Sequence, residues 1–291
     1  MATIPETIPE RYTALRQRVA QSAAVSGRPA AAVLIVAVSK YAGMEDVRAL
    51  AELGHRDFAE NAVQQLIQRA AMMDEWLLRQ LGPSPGKPPS PAPVLDRAGT
   101  REQLPPGPGQ PVRWHMIGRL QRNKARKAVE TARLIHSVDS LKVAEDIQSF
   151  AVRLERPVDV LLQVNTSGER SKQGCAIPAA PHLIEQIETM VNVRVRGLMT
   201  MAPHSEDPED SRLTFARCRE LFEEIRSLGV VPAEQFDVLS MGMSGDFGVA
   251  VEEGSNLVRV GAALFGPPPE PTPDDHAEAH RQGAAADDDD T

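Results

Sequence analysis

Residues 30–40 read AAAVLIVAVSK. Nine consecutive apolar side chains, Ala30 to Val38, run without polar alternation, the pattern of a strand covered on both faces and therefore of a parallel sheet packed by helices. The run is far short of the roughly 20 residues that span a bilayer, and it closes on a hydroxyl and an amine, Ser39-Lys40. Working outward, further strand candidates alternate strictly with helical stretches. Strands are predicted at Val33–Ser39, Asp57–Glu60, Val112–Ile117, Leu134–Val138, Val158–Val164, Val193–Thr200, Phe236–Met241 and Leu257–Leu264. Amphipathic stretches lie between them, at Met44–Leu53, Ala62–Leu81, Asn123–Ala132, Leu141–Leu154, Ala179–Met190 and Asp207–Leu228, and a first helix is predicted at Ile8–Ser22. Strands alternating with crossover helices make an α/β fold, and eight such units point to a single (β/α)8 TIM barrel with an N-terminal helix. A doubly wound open sheet is the structural alternative.

The two segments outside this pattern account for most of the unusual composition. Residues 82–111 hold ten of the 24 prolines and read as an inserted loop, because proline supports neither a ladder nor a helix interior. The stretch 267–291 adds five prolines and eight acidic residues against Arg281 alone, so it carries −7 of the chain's −8 and reads as a disordered acidic tail. The remaining 236 residues are nearly neutral and match the size of one barrel domain, so residues 1–266 are read as that domain. A near-neutral body argues against a nucleic-acid binder driven by overall positive charge. Arg119, Arg122, Lys124, Arg126 and Lys127 crowd into nine residues, but no aromatic platform accompanies them, and a solvated helix face is the better reading. Cys175 and Cys218 have neither disulfide-framework nor metal spacing. With no signal-peptide pattern before Gly27, the expectation is a soluble, cytoplasmic chain that avoids membranes.

In a barrel, chemistry gathers where strands end. Polar residues at those ends are Lys40, Glu60-Asn61, His115, Asp139, Asn165, Thr200, Ser240 to Ser244 and Arg259-Gly261. Lys40 follows the most apolar strand, where desolvation favours a neutral amine nucleophile suited to Schiff-base chemistry with an aldehyde; a lysine reaching past the strand end to solvent is the alternative. LSMGMSGDFGVAVEEG carries glycines at 242, 245 and 248 before a short helix, and VRVGAALFG places Gly261 inside the last strand and Gly266 at its end. Glycines and free N–H groups after strands seven and eight are the usual phosphate position of this fold, although turn chemistry alone would also explain them. Arg259 sits in an apolar strand and needs a partner: a carboxylate, or a pyridine nitrogen to which it can only donate.

The strings AVSK (37–40), AEN (59–61), WHMIGRLQRNK (114–124), HSVDS (136–140), QVNTSGERSKQG (163–174), VRGLMTM (195–201), SMGMSGDF (240–247) and VRVGAALFG (258–266) occur in this order. With them the chain resembles the YggS/PROSC family of pyridoxal 5′-phosphate (PLP) binding, PLP homeostasis proteins. The resemblance implies a barrel like the N-terminal domain of alanine racemase, with PLP held as an internal aldimine, no catalytic turnover of its own, and a role in vitamin B6 homeostasis. It implies Lys40 as the aldimine lysine and Ser240, Ser244, Gly261 and the backbone of Ala262 around the phosphate. Arg259 would face the pyridine nitrogen or the phosphate, and Asn61, His115 and Asn165 would line the ring. Ala59 and Ala262 depart from the family's usual glycine and hydroxyl residues. Recipient apo-enzymes and a monomeric state are further expectations.

Two other readings compete. A PLP-dependent racemase or lyase would use Lys40 as one base, but racemisation needs a second base on the opposite face, supplied in alanine racemase by a separate domain that nothing after Gly266 could form. A Schiff-base aldolase-type barrel without a cofactor is the third.

Overall fold

The computed structural model describes residues 7–81, 111–169 and 172–267. Nine strands occur there: β1 Leu34–Val38, β2 Asp57–Glu60, β3 Arg113–Met116, β4 Leu134–Val138, β5 Val158–Asn165, β6 Cys175–Ala176, β7 Val193–Met199, β8 Val238–Ser240 and β9 Leu257–Val260. The helices are α1 Ile8–Val25, α2 Met44–Glu52, α3 Val63–Leu81, α4 Arg122–Thr131, α5 Leu141–Arg153, α6 Ala180–Glu188, α7 Arg212–Leu228, α8 Phe247–Glu252 and α9 Ala262–Phe265. Every strand pair is parallel. The ring runs β1-β2-β3-β4-β5-β7-β8-β9 and returns to β1, so eight strands close a barrel and the open-sheet alternative is excluded.

Closure divides the apolar residues into two cores. An outer shell lies between strands and helices and is built from one face of each strand, such as Ile35, Ala37, Phe58 and Val258, against helix residues such as Leu50, Leu66 and Ile147. The inner core comes from the opposite parity: Val36, Val38, Ala59, Leu134, Leu161, Met199, Val238 and Leu257. This is why LIVAV shows no alternation: both faces of β1 are covered, whereas Ala30–Ala32, apolar enough to extend the strand, form a short 3-10 turn in which Ala30 and Ala31 are exposed. At the start of the strands a ring of ion pairs forms the barrel floor. Asp57 meets Arg113, Asp159 meets Arg194 and Arg196, and Arg196 also meets Asp237.

Three expectations need correction. The last strand ends at Val260, not Leu264: Gly261 turns the chain, and residues 262–265 form α9, whose start is held by Ser244. The strand predicted over Phe236–Met241 keeps only Val238–Ser240. The short β6 carries no periodic signal; it exists because it pairs beside Val164 and Asn165. The proline-rich segment (82–110) and the acidic segment from 268 lie outside the described residues.

Candidate functional site at the barrel mouth

Lys40 comes two residues after Val38 and continues the inward parity of Val36 and Val38. It is half-buried, and its Nζ lies 4.8 Å from the centre of the exposed Tyr41 ring. The turn that carries it is tied down from below and beside. Ser39 N donates to Ala59 O (3.0 Å), Ser39 Oγ donates to Glu60 Oε1 (2.6 Å), and Ala42 N closes the turn on Ser39 O. Arg69, projecting from α3, bridges both loops, donating through Nη2 to Ala42 O (2.8 Å) and pairing through Nε with Glu60 Oε1 (3.0 Å). Glu60 is fully buried, with its second oxygen, Oε2, unpartnered. Burial pushes its carboxyl above the ordinary value, against the opposing pull of Ser39, Arg69 and Lys40.

Beside β1, at the ends of β8 and β9, Ser244 Oγ accepts from Gly261 N and Ala263 N, each at 3.2 Å. As the first residue of α9, Ala262 has no carbonyl one turn back to receive its N–H. Gly261 runs close against β1, since a Cβ there would lie 3.2 Å from Val38 O. Gly242 at φ +90° needs glycine outright: a Cβ would fall 2.6 Å from Ala250 Cβ and 2.8 Å from Phe247 Cα. The glycine-rich segment thus lets the β8 loop fold down onto α8 and brings Ser244 to α9.

Arg259 is buried on the inner parity of β9. Its partners are neutral: Nη1 donates to Ser240 Oγ (2.6 Å) and Nη2 to Thr200 O (3.0 Å), with no carboxylate at ion-pair distance among the described residues. Burial pulls its pKa down to about 10, although the charge of Asp246 favours the protonated form. Ser240 also meets His136 Nδ1 (3.2 Å), His136 Nε2 meets His115 Nδ1 (3.0 Å), and His115 Nε2 meets Asp57 Oδ1 (3.2 Å). Arg113 grips Asp57 with both Nε and Nη2. His136 is held far below its ordinary pKa by burial and by its neighbours His115 and Arg259. For Asp57 burial works upward, but hydrogen bonds from His115 and Arg113 together with the Arg113 charge hold the carboxyl well below the usual carboxylate range.

The fold therefore brings together Lys40, Ser240, Ser244, Arg259, Gly261 and Ala262 at one barrel end. Asn61 follows β2 and is exposed; its carbonyl sits where a Cβ on Gly118 would be, so the β2 and β3 loops pack by backbone contact. Asn165 commits its Nδ2 to Glu169 O and Lys172 O, and its Oδ1 accepts from Ser167 Oγ, so its amide organises its own loop. His115 is not a mouth residue: it is fully buried, with both ring nitrogens engaged inside the barrel. The exposed cations Arg119, Lys124, Arg126 and Lys127 lie on or just before the open face of α4, opposite its buried Ala125, Ala128 and Val129, and Arg126 pairs with Glu130. Sequence reasoning missed Asp57 and His136. The available signal was a histidine and an aspartate in inward register within apolar strands, a costly placement unless they pair.

Among the described residues no helix is long and apolar enough to cross a membrane and no His, Cys, Asp or Glu group could hold a metal ion. The family model of the alanine racemase N-terminal domain matches residues 11–269. The pyridoxal phosphate homeostasis protein of Pseudomonas aeruginosa is 34% identical over 260 residues, which cover 89% of this chain and 95% of that one. Its namesake in Schizosaccharomyces pombe is 31% identical, covering 90% and 93%. Among solved structures, PipY of Synechococcus elongatus with PLP bound is 31% identical, with a TM-score of 0.68 and coverage of 89% of this chain and all of that one. Alanine racemase of Clostridium difficile, at 13% identity and a TM-score of 0.61, shares the fold over 58% of its own length. By the family model and by these relatives, the chain belongs to the alanine racemase N-terminal domain family and, within it, to the pyridoxal phosphate homeostasis proteins.

Proposed function

We propose that this chain binds PLP reversibly at the barrel mouth through Lys40 and serves intracellular PLP homeostasis without catalytic turnover of its own. The observation that carries the proposal is the donor set at one barrel end, a lysine amine, a buried guanidinium and the N–H groups around Gly261–Ala263, in a chain 31% identical to a protein solved with PLP bound. These groups match the aldehyde, the pyridine nitrogen and the phosphate, and the unpartnered Glu60 oxygen leaves the lysine end of the site with spare acceptor capacity.

PLP, when bound, supplies an aldehyde that condenses with a primary amine. Lys40 offers that amine on a turn fixed by Ser39, Glu60 and Arg69. Ser244 orders the backbone of 261–263, and the N–H of Ala262 together with the Ser244 hydroxyl can receive a phosphate without the hydroxyl that residue 262 lacks. Arg259 can only donate, so a pyridine nitrogen beside it stays an unprotonated acceptor and a weak electron sink. Asn61 and Asn165 shape the loops around the mouth, and His115 acts on it from within the barrel. The domain reading that goes with this is one barrel over 1–266 with an insertion at 82–111 and an acidic tail, in a monomer that hands PLP to apo-enzymes.

The test is reductive trapping. Wild-type protein treated with PLP and borohydride should carry its label on Lys40, and Lys40→Ala should lose the label and the visible absorbance while staying folded by circular dichroism. Label persisting on Lys172 would overturn the assignment. The loaded protein should pass PLP to an apo-enzyme and leave added amino acids unchanged; steady amino-acid conversion would favour the enzyme reading.

A further inference from the structure

The contacts Asp57–His115–His136–Ser240–Arg259 cross the barrel interior from its floor to its mouth, each between 2.6 and 3.2 Å. β3, unlike the other strands of the ring, adds no residue to the inner apolar core, and His115 occupies that register position between Ala59 and Leu134. His136 lies where the β4–β5 register shifts, between Ile135 and Val138, an irregularity of the kind that re-aims a side chain.

With both rings neutral, the two ends determine every hydrogen in between. An ionised Asp57 can only accept, so His115 must carry its proton on Nε2. Its Nδ1 is then an acceptor, which requires the His136 proton on Nε2, facing it. His136 Nδ1 in turn accepts, so the Ser240 hydroxyl donates to it and turns its lone pairs to Arg259, which can only donate. The result is one unbroken direction, Arg259 to Ser240 to His136 to His115 to Asp57, with both imidazoles neutral. Charging both rings would set two donors face to face, and charging His136 alone would turn the Ser240 hydroxyl from donor to acceptor at that ring. The chain does not conduct: carrying a proton from Arg259 to Asp57 means taking it from a group near pKa 10 to one held below the ordinary carboxylate value of 3.8. That transfer runs uphill, from the stronger base to the weaker one.

We propose that Asp57, His115 and His136 are positioning residues for the cofactor site: through Ser240 they form a one-way hydrogen-bond chain, anchored at the floor by Arg113, that locks the Arg259 guanidinium in place at the mouth. Two of its five N–H donors are used by Ser240 and Thr200 O, and the rest keep a fixed direction. This rests on the reading above only in taking the bound molecule to be PLP; the hydrogen order itself is a property of the protein alone.

Two measurements on the full-length protein separate these layers. Nitrogen-15 spectra of histidine-labelled protein without added PLP should show His115 and His136 both as neutral Nε2–H tautomers at neutral pH; an Nδ1–H tautomer or an imidazolium at either position overturns the chain whether or not PLP binds. His136→Phe keeps a flat aromatic ring at this position and cuts the chain in the middle, without touching Lys40 or Ser244. In PLP titrations it should lower affinity about tenfold and move the absorbance maximum of bound PLP, while borohydride still traps the label on Lys40. A residue that merely fills space would leave that maximum where it is, so unchanged affinity and spectrum in a folded variant reject the positioning role. Wild-type protein that binds no PLP would reject the cofactor reading and leave the tautomer result standing.

Discussion

Among single residues, Arg69 shows how a side chain far from the reacting end can hold it in place. Its guanidinium ties the turn after Lys40 to the end of β2, and its partner Glu60 is fully buried. Removing one member of a buried pair leaves an uncompensated charge, which costs more than the pair contributes. Arg69→Leu should therefore lose about 3 kcal/mol in urea denaturation, and adding Glu60→Gln should recover most of it; equal losses in the single and double variants would show that the ion pair is not what matters. Lys40 and Arg259 could be singled out from the sequence because each is a cation inside or beside an apolar strand. Arg69 could not: it looks like any charged residue on a helix, and only the packing of α3 beside β2 gives it a carboxylate.

Among the elements, the last turn of the barrel departs most from expectation. Ala262 to Phe265 is apolar enough to extend β9, yet it forms α9 because Ser244, brought from the preceding loop, accepts from the N–H groups of 261 and 263. Helix-start caps of this kind are worth about 1 kcal/mol. Ser244→Ala should cost about that much stability and, by freeing the 261–263 backbone, reduce PLP affinity roughly tenfold, as loss of a hydrogen bond to a charged group would; a stability loss with unchanged affinity would place the phosphate elsewhere. Longer elements were legible because their periodicity is a local record of which faces are covered: β2 and β4 match the predicted limits, and α3 and α5 come within one residue of theirs. The two-residue β6 has no such record, since one neighbouring strand is its whole reason to exist.

For the molecule as a whole, buried neutral histidines couple stability to pH. Burial lowers His55 to about 4, and His136 lies well below its ordinary 6.5. Both therefore take up protons more readily in the unfolded chain. Their contribution to stability is intact above about pH 6.5 and falls as the pH drops toward the folded-state values. At pH 5 the loss for His55 alone is about 2 kcal/mol. Urea midpoints measured from pH 7 to 5 should fall steadily, and His55→Phe should flatten part of the slope; a flat profile in the wild type would mean that these rings are charged or exposed in the folded protein. Asp57 adds nothing in this window, because its depressed value moves its effect to pH below 4.

The sequence alone determined the order of strands and helices, the number of barrel units, the neutral body, and Lys40 at the end of the first strand. All of these follow from local patterning and from the cost of burying a charge, both of which are written in neighbouring residues. Tertiary structure alone decided that the sheet closes, that His115 faces the barrel interior rather than the mouth, and that Asp57, His136 and Ser240 join into one line beneath Arg259. The physical reason is that a hydrogen bond needs two partners at about 3 Å. Residues as far apart in sequence as His136 and Ser240 come within that distance only once the ring of strands has been drawn shut.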